Sequence, residues 1–92
     1  MGHCCEILEF KTELMKSTIQ NRCNRWQLYN ADLYECGSKG PRFPIKWTGK
    51  IFENREEAYK YLETTFGDYD QTAVQFKEGK NYKWAIACEV HC

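Results

Sequence analysis

Apolar and polar residues alternate along Glu6-Ile7-Leu8-Glu9-Phe10-Lys11-Thr12-Glu13, with Leu8, Phe10 and Thr12 on one side and Ile7, Glu9 and Lys11 on the other. That period of two predicts a strand, although helical spacing would also place Ile7, Phe10 and Leu14 together. Ser17-Thr18-Ile19-Gln20 has the form of a capping box. Beyond it Ile19, Cys23, Trp26, Asn30 and Leu33 recur at helical spacing, predicting a helix to about Tyr34 with one mostly apolar stripe. Gly37-Ser38-Lys39-Gly40-Pro41 ends it in a loop.

From Pro44 to Phe52 a second strand is predicted, with Ile45, Trp47, Gly49 and Ile51 on one face. Asn54, with Glu57 three residues on, caps a second helix whose buried stripe is Ala58, Tyr61, Leu62 and Thr65. Gly67 is placed to terminate it. In the last third, Thr72, Val74 and Phe76 alternate in one arm of a hairpin and Tyr82, Trp84, Ile86, Cys88 and Val90 in the other. Glu78-Gly79-Lys80-Asn81 supplies the turn. The order is β-α-β-α-β-β. It predicts a single α+β domain over residues 1–92, a mainly antiparallel sheet with both helices packed on one face. The pairing order of the strands is not contained in this pattern.

Charge and cysteine content narrow the classes. Thirteen Lys and Arg balance thirteen Asp and Glu, which argues against wholesale electrostatic binding to nucleic acid or an anionic membrane. No apolar run approaches a membrane span. Met1 runs straight into polar and ligand-type residues rather than a basic stretch followed by an apolar one, so no secretory leader is expected. In a reducing cytoplasm the six cysteines favour metal binding or buried thiols over disulfides.

The chemistry is concentrated at the two ends. The chain opens Met1-Gly2-His3-Cys4-Cys5 and closes Cys88-Glu89-Val90-His91-Cys92, so both histidines and four of the six cysteines lie within five residues of a terminus. Termini fray unless something ties them down, and soft N and S donors point to tetrahedral zinc as the tie. If the first and last strands are antiparallel neighbours, His3-Cys4-Cys5 comes beside His91-Cys92. Strand alternation puts His3 and Cys5 on one side and Cys4 with Leu8 and Phe10. Cys88 falls with Trp84 and Ile86. The expected ligands are therefore His3, Cys5, His91 and Cys92, with Cys4 and Cys88 in reserve. The competing reading makes Cys4 and Cys88 small buried hydrophobes and the histidines surface residues. Cys23 belongs to a helical core stripe, and Cys36 is a thiol just past the helix end.

Other constellations are thinner. A Cys–His pair such as Cys5 and His91 has the elements of a thiol nucleophile and its base, but no orienting third residue or oxyanion loop accompanies it. The Gly37–Gly40 loop lacks the spacing of a phosphate cradle. Lys39, Arg42, Lys46 and Lys50, interleaved with Phe43 and Trp47, form a basic aromatic stretch of the kind that holds single-stranded nucleic acid. Glu53, Glu56, Glu57, Glu63, Asp68 and Asp70 form an acidic one. Solvated faces of a neutral protein account for each of them better than a binding role does.

The Gly2-His3-Cys4-Cys5-Glu6 opening and the Phe52-x-Asn54-x-Glu56-Glu57-Ala58 helix start are similar to those of small proteins from phages and mobile elements. Among these the chain resembles a zinc-containing anti-CRISPR protein of the kind that blocks Cas9, in overall layout and in its terminal Cys and His residues. The resemblance implies a catalytically inert protein that binds a nuclease in the host cytoplasm, with zinc holding the fold. Three functions compete: an inhibitory protein-binding module, a nucleic-acid-binding zinc module using Arg42, Phe43, Lys46, Trp47 and Lys50, and a thiol enzyme at Cys5 and His91. Net neutrality and the missing catalytic supports favour the first.

Overall fold

A computed structural model describes residues 3–33, 44–67 and 71–91. In chain order the elements are β1 (His3–Lys11), α1 (Lys16–Leu33), β2 (Ile45–Phe52), α2 (Arg55–Glu63), β3 (Gln71–Glu78) and β4 (Asn81–His91). The α+β class and the β-α-β-α-β-β order are as the patterning predicts. The strands form one sheet in the order β1-β4-β3-β2. β4 runs antiparallel to its neighbours β1 and β3, and β2 pairs with β3 in parallel, so β1, β2 and β3 share one direction.

The helices do not share a face, contrary to the expectation from sequence. Ile19 and Cys23 of α1 pack with Ile45, Ala73, Ile86 and Cys88, and Leu8, Phe10, Trp26, Trp47 and Trp84 close around them. Ala58 and Leu62 of α2 pack on the other side of the sheet, with Val74, Phe76, Ala85 and Ala87. The strand order supplies the reason. The β1-α1-β2 connection crosses the sheet from one edge to the other, whereas β2-α2-β3 steps back toward the centre. Parallel crossovers take one hand, so two that travel in opposite directions place their helices on opposite faces.

That arrangement explains the composition of the central strands. In β4, residues 85 to 90 are all buried, although Glu89 is among them. Ala73 and Ile86 pack in the cluster beneath α1, and Ala85, Ala87, Val74 and Phe76 in the one beneath α2. Val74 pairs with Ala85 and Ala73 with Ile86. The two alternating apolar sets of the hairpin therefore face opposite sides of the sheet rather than one.

Local signals were met unevenly. The Asn54 side chain accepts from the Glu57 N–H at 2.8 Å, so this cap forms as the pattern predicts. Ser17 is not the cap of α1. The helix starts at Lys16, and the Met15 carbonyl already accepts from the Thr18 and Ile19 N–H groups. Gln20 is turned to tertiary use: its Oε1 accepts from the Ile45 N–H at 2.8 Å, joining the first turn of α1 to the start of β2. Leu33, expected in the apolar stripe, is exposed. In β2 the ladder shifts between Trp47 and Ile51, at Gly49 with φ of 77°. The four-residue step matches a two-residue step in β3, so side alternation survives the irregularity.

Candidate metal centre

The first and last strands are antiparallel neighbours, which is the condition on which the meeting of the two ends depends. Their register pairs His3 with His91, Cys4 with Val90 and Cys5 with Glu89. Two of the four expected ligands thus stand directly opposite one another, and a third, Cys5, lies two positions along β1. His3, Cys4 and His91 are described by backbone position alone; Cys92, the fourth expected ligand, lies outside the described residues. So do Cys36 and the Gly37–Gly40 loop, Arg42 and Phe43 of the basic stretch, and Asp68 and Asp70 of the acidic one.

Cys88, held in reserve as a ligand, belongs to the core beneath α1. Its thiol is pushed well above the usual range, first by a hydrogen bond with Cys23 and then by burial. A thiol so placed resists the deprotonation that metal binding requires. It is a packing residue, as strand alternation with Trp84 and Ile86 had indicated.

The residue that sequence reasoning passed over is Glu89. It is 1% exposed, unusual for a carboxylate. Both its oxygens accept from the Gly67 N–H, at 2.8 and 3.0 Å, and the Cys5 Sγ donates to it across the strands at 3.7 Å. From the other side of the sheet, Gln27 Nε2 donates to the Glu89 backbone carbonyl at 3.3 Å. Gly67, expected to end α2, lies beyond it: the helix closes at Glu63 with Thr64 as its cap, and Gly67, with φ of 100°, turns its N–H onto this carboxylate. The only hint in the sequence was an acid inside the ligand-rich Cys88–Cys92 segment. Among the described residues, no group of three or more His, Cys, Asp and Glu side chains is gathered as a metal site.

A second polar cluster lies at the other end of the α2 face. Glu9 accepts from Arg55 Nε at 2.7 Å and Nη2 at 3.2 Å, and from the Tyr59 hydroxyl, while Lys83 Nζ stands 3.7 Å away. Arg55 also pairs with Glu78, as does Lys83 at 3.4 Å. Burial works against the charged form of Glu9. The hydrogen bonds from Arg55 and Tyr59 and the charges of Arg55 and Lys83 together outweigh it and hold the carboxyl below its ordinary value. Burial, reinforced by the Glu9 hydrogen bond, pushes Tyr59 up to about 12. Each charge meets its opposite here, so the cluster works as a clamp joining β1, β3, β4 and α2.

The basic aromatic stretch is partly committed to packing. Trp47 meets Trp84 edge-on at 4.9 Å between ring centroids, and the Lys16 ammonium sits 5.0 Å from the Trp47 ring. Lys46 and Lys50 are exposed, and Lys50 reaches over Tyr61 at 5.4 Å. Glu53, Glu56, Glu57 and Glu63 of the acidic stretch are all exposed. Among the described residues no helix is long and apolar enough to cross a membrane. No family model matches the chain, and neither a curated protein nor a solved structure is similar to it.

Proposed function

We propose that this chain is a zinc-clasped interaction protein that acts in the host cytoplasm by binding another protein, without turnover of its own. The observation that carries this reading is the register that sets His3 against His91 beside the Cys5–Glu89 pair. Potential donors from both ends of the chain thereby share one end of the β1–β4 ribbon, where a single divalent ion holds the two strands closed. Such an ion adds its binding free energy to folding, which matters in a domain of 92 residues. Two surfaces are available to a partner. Tyr29 and Leu33, one turn apart on α1, are 67% and 57% exposed, and α2 presents the acidic set of Glu56, Glu57 and Glu63.

The partner class put to the test is a Cas9-type nuclease, which an acidic face would engage where the enzyme holds nucleic acid phosphates. Untagged protein, carrying its own metal, is titrated into a DNA-cleavage assay with such a nuclease, before and after chelation. Thermal melts are run on the same samples. The expected outcome is stoichiometric inhibition, with inhibition and melting temperature falling together on chelation. Full cleavage at every protein ratio would overturn the nuclease reading. A metal-free protein with an unchanged melt would overturn the clasp.

A further inference from the structure

We infer that the outer edge of β1 is a self-association surface: two copies of the chain join β1 to β1, antiparallel, about a two-fold axis at Ile7. Their four-stranded sheets then run on as one. This goes beyond the zinc and nuclease readings above and needs neither of them.

The two edges of the sheet are unlike. β2 forms one of them; its ladder shifts between Trp47 and Ile51, and it carries the exposed Lys46 and Lys50. Irregular register and lysines are what keep an edge from accepting another strand. β1 forms the other edge. It is nine residues long and holds unbroken register with β4 from His3 to Lys11. Among the described residues no further strand lies on its outer side. Alternate N–H and C=O groups along it therefore point away from the sheet, the template that strand addition uses. Its two acids do not guard this edge, because both are engaged within the chain. Glu6 accepts from Trp26 Nε1 at 2.7 Å, and Glu9 is held by Arg55, Tyr59 and Lys83.

A second copy fits the edge by symmetry and by sequence. Ile7 is the middle residue of β1, so pairing centred there engages the whole strand. It sets Ile7 opposite Ile7, Glu6 opposite Leu8 and Cys5 opposite Glu9, and no acid directly opposes an acid. Moving the axis to Glu6 would set that carboxylate against its own copy, which is destabilising, and would shorten the ladder. A two-fold axis perpendicular to the sheet keeps both α1 helices on one face and lays the Lys11 end of each β1 beside the His3 end of the other. Exposed apolar side chains stand at those two ends. Met15 follows the turn in which the Leu14 N–H bonds the Lys11 carbonyl, and the Tyr82 carbonyl accepts from Thr12 Oγ1. Tyr29 and Leu33 lie three and seven residues beyond Trp26, on the side of α1 that reaches Glu6 of β1 rather than the side from which Gln20 reaches Ile45 of β2. Across the axis, Tyr29 and Leu33 of one copy approach Met15 and Tyr82 of the other, so each end of the joint covers apolar surface that a single chain leaves in water.

The test combines mass with amide exchange on the untagged full chain. Sedimentation velocity from low micromolar to submillimolar protein should show the mass doubling. Hydrogen exchange at the upper end should find every amide from Glu6 to Phe10 protected, with alternate ones exchanging fast again on dilution. Ile7→Lys, which opposes two ammonium groups on the axis, should keep the chain monomeric. The double variant Tyr29→Ser, Leu33→Ser changes exposed side chains only. It should raise the dimer Kd about 10-fold or more while its circular dichroism stays that of wild type. A dimer whose alternate β1 amides still exchange fast would overturn the inference, because its contact would lie elsewhere. A chain monomeric throughout the range would overturn it too, and protection of β1 appearing only when a nuclease is added would then give the edge to a strand of that partner. Should Ile7→Lys fail to fold, the wild-type exchange pattern still decides.

Discussion

Placing the two helices on opposite faces has an energetic signature that a double-mutant cycle will read. Ile19 on α1 and Leu62 on α2 are each fully buried, and the two clusters they anchor share no residue. Ile19→Val removes one methyl group and should cost about 0.5–1.5 kcal/mol, and Leu62→Ala about 2–5 kcal/mol including the cavity it leaves. With the sheet between them and no common partner, the costs should add to within about 0.5 kcal/mol. The sum, about 2.5–6.5 kcal/mol, approaches the whole stability of a domain this size, about 5–14 kcal/mol at the usual per-residue value. Urea titrations should therefore start from the most stabilising buffer. Trp26, Trp47 and Trp84 all pack with the α1 cluster, so their fluorescence reports one face, whereas far-ultraviolet circular dichroism reports the whole fold. Coincident transitions would establish a single cooperative unit. A coupling energy above about 1 kcal/mol between two such mutations, characteristic of neighbours, would refute the separation of the faces.

Four further outcomes follow from the described contacts. Removing the α2 cap with Asn54→Ala should cost about 0.5–2 kcal/mol and lower the melting temperature by about 4–8 °C per kcal/mol; an unchanged melt would show the cap to be dispensable. Because the folded Glu9 carboxyl lies below its ordinary value of 4.5, its contribution is complete above that pH and fades as pH falls through the folded value. Glu9→Gln should flatten the acid limb of a plot of urea midpoint against pH, and the reverse sign would discredit the clamp. Tyr59, raised from 10.0 to about 12, gives its contribution below pH 10 and loses it as pH rises through 12, which phenolate absorbance will follow. Cys88, fully buried with its thiol pushed up, should resist alkylation in native protein and react once urea unfolds it; modification ahead of Cys5 would contradict the packing.

The elements were legible because each is written locally. Alternation in β1 and in the β3–β4 hairpin, the Asn54 cap and the turn glycines all act within a few residues. The face each helix covers was not local information. It depends on β4 entering between β1 and β3, a pairing of residues some eighty positions apart, and without that order the handedness rule cannot be applied. Ser17 failed as a cap for a related reason: a tertiary bond from Ile45 engages the Gln20 side chain that the local motif would have used. The shared ligand types of the chain ends suggested a meeting, but the β1–β4 pairing that brings the two ends together was not written in the pattern. The burial of Glu89 was not legible, because in a strand with one solvated face it would have pointed outward, whereas here the Gly67 N–H beyond α2 meets its carboxylate.

The pairing of His3 with His91 also fixes how the fold would yield to a pull. β1 and β4 lie side by side and antiparallel, so the strand ends at 3 and 91 leave the sheet from the same corner. Tension between those points would act across the ladder rather than along it, loading one cross-strand pair at a time from the corner inward. Such zippers open at far lower force than strands sheared lengthwise, in which many bonds resist together. The first rung to be loaded is the histidine pair and the next on that face is Cys5–Glu89. A metal ion there would turn the weakest mechanical point of the sheet into its latch, and its removal would leave β1 free to peel.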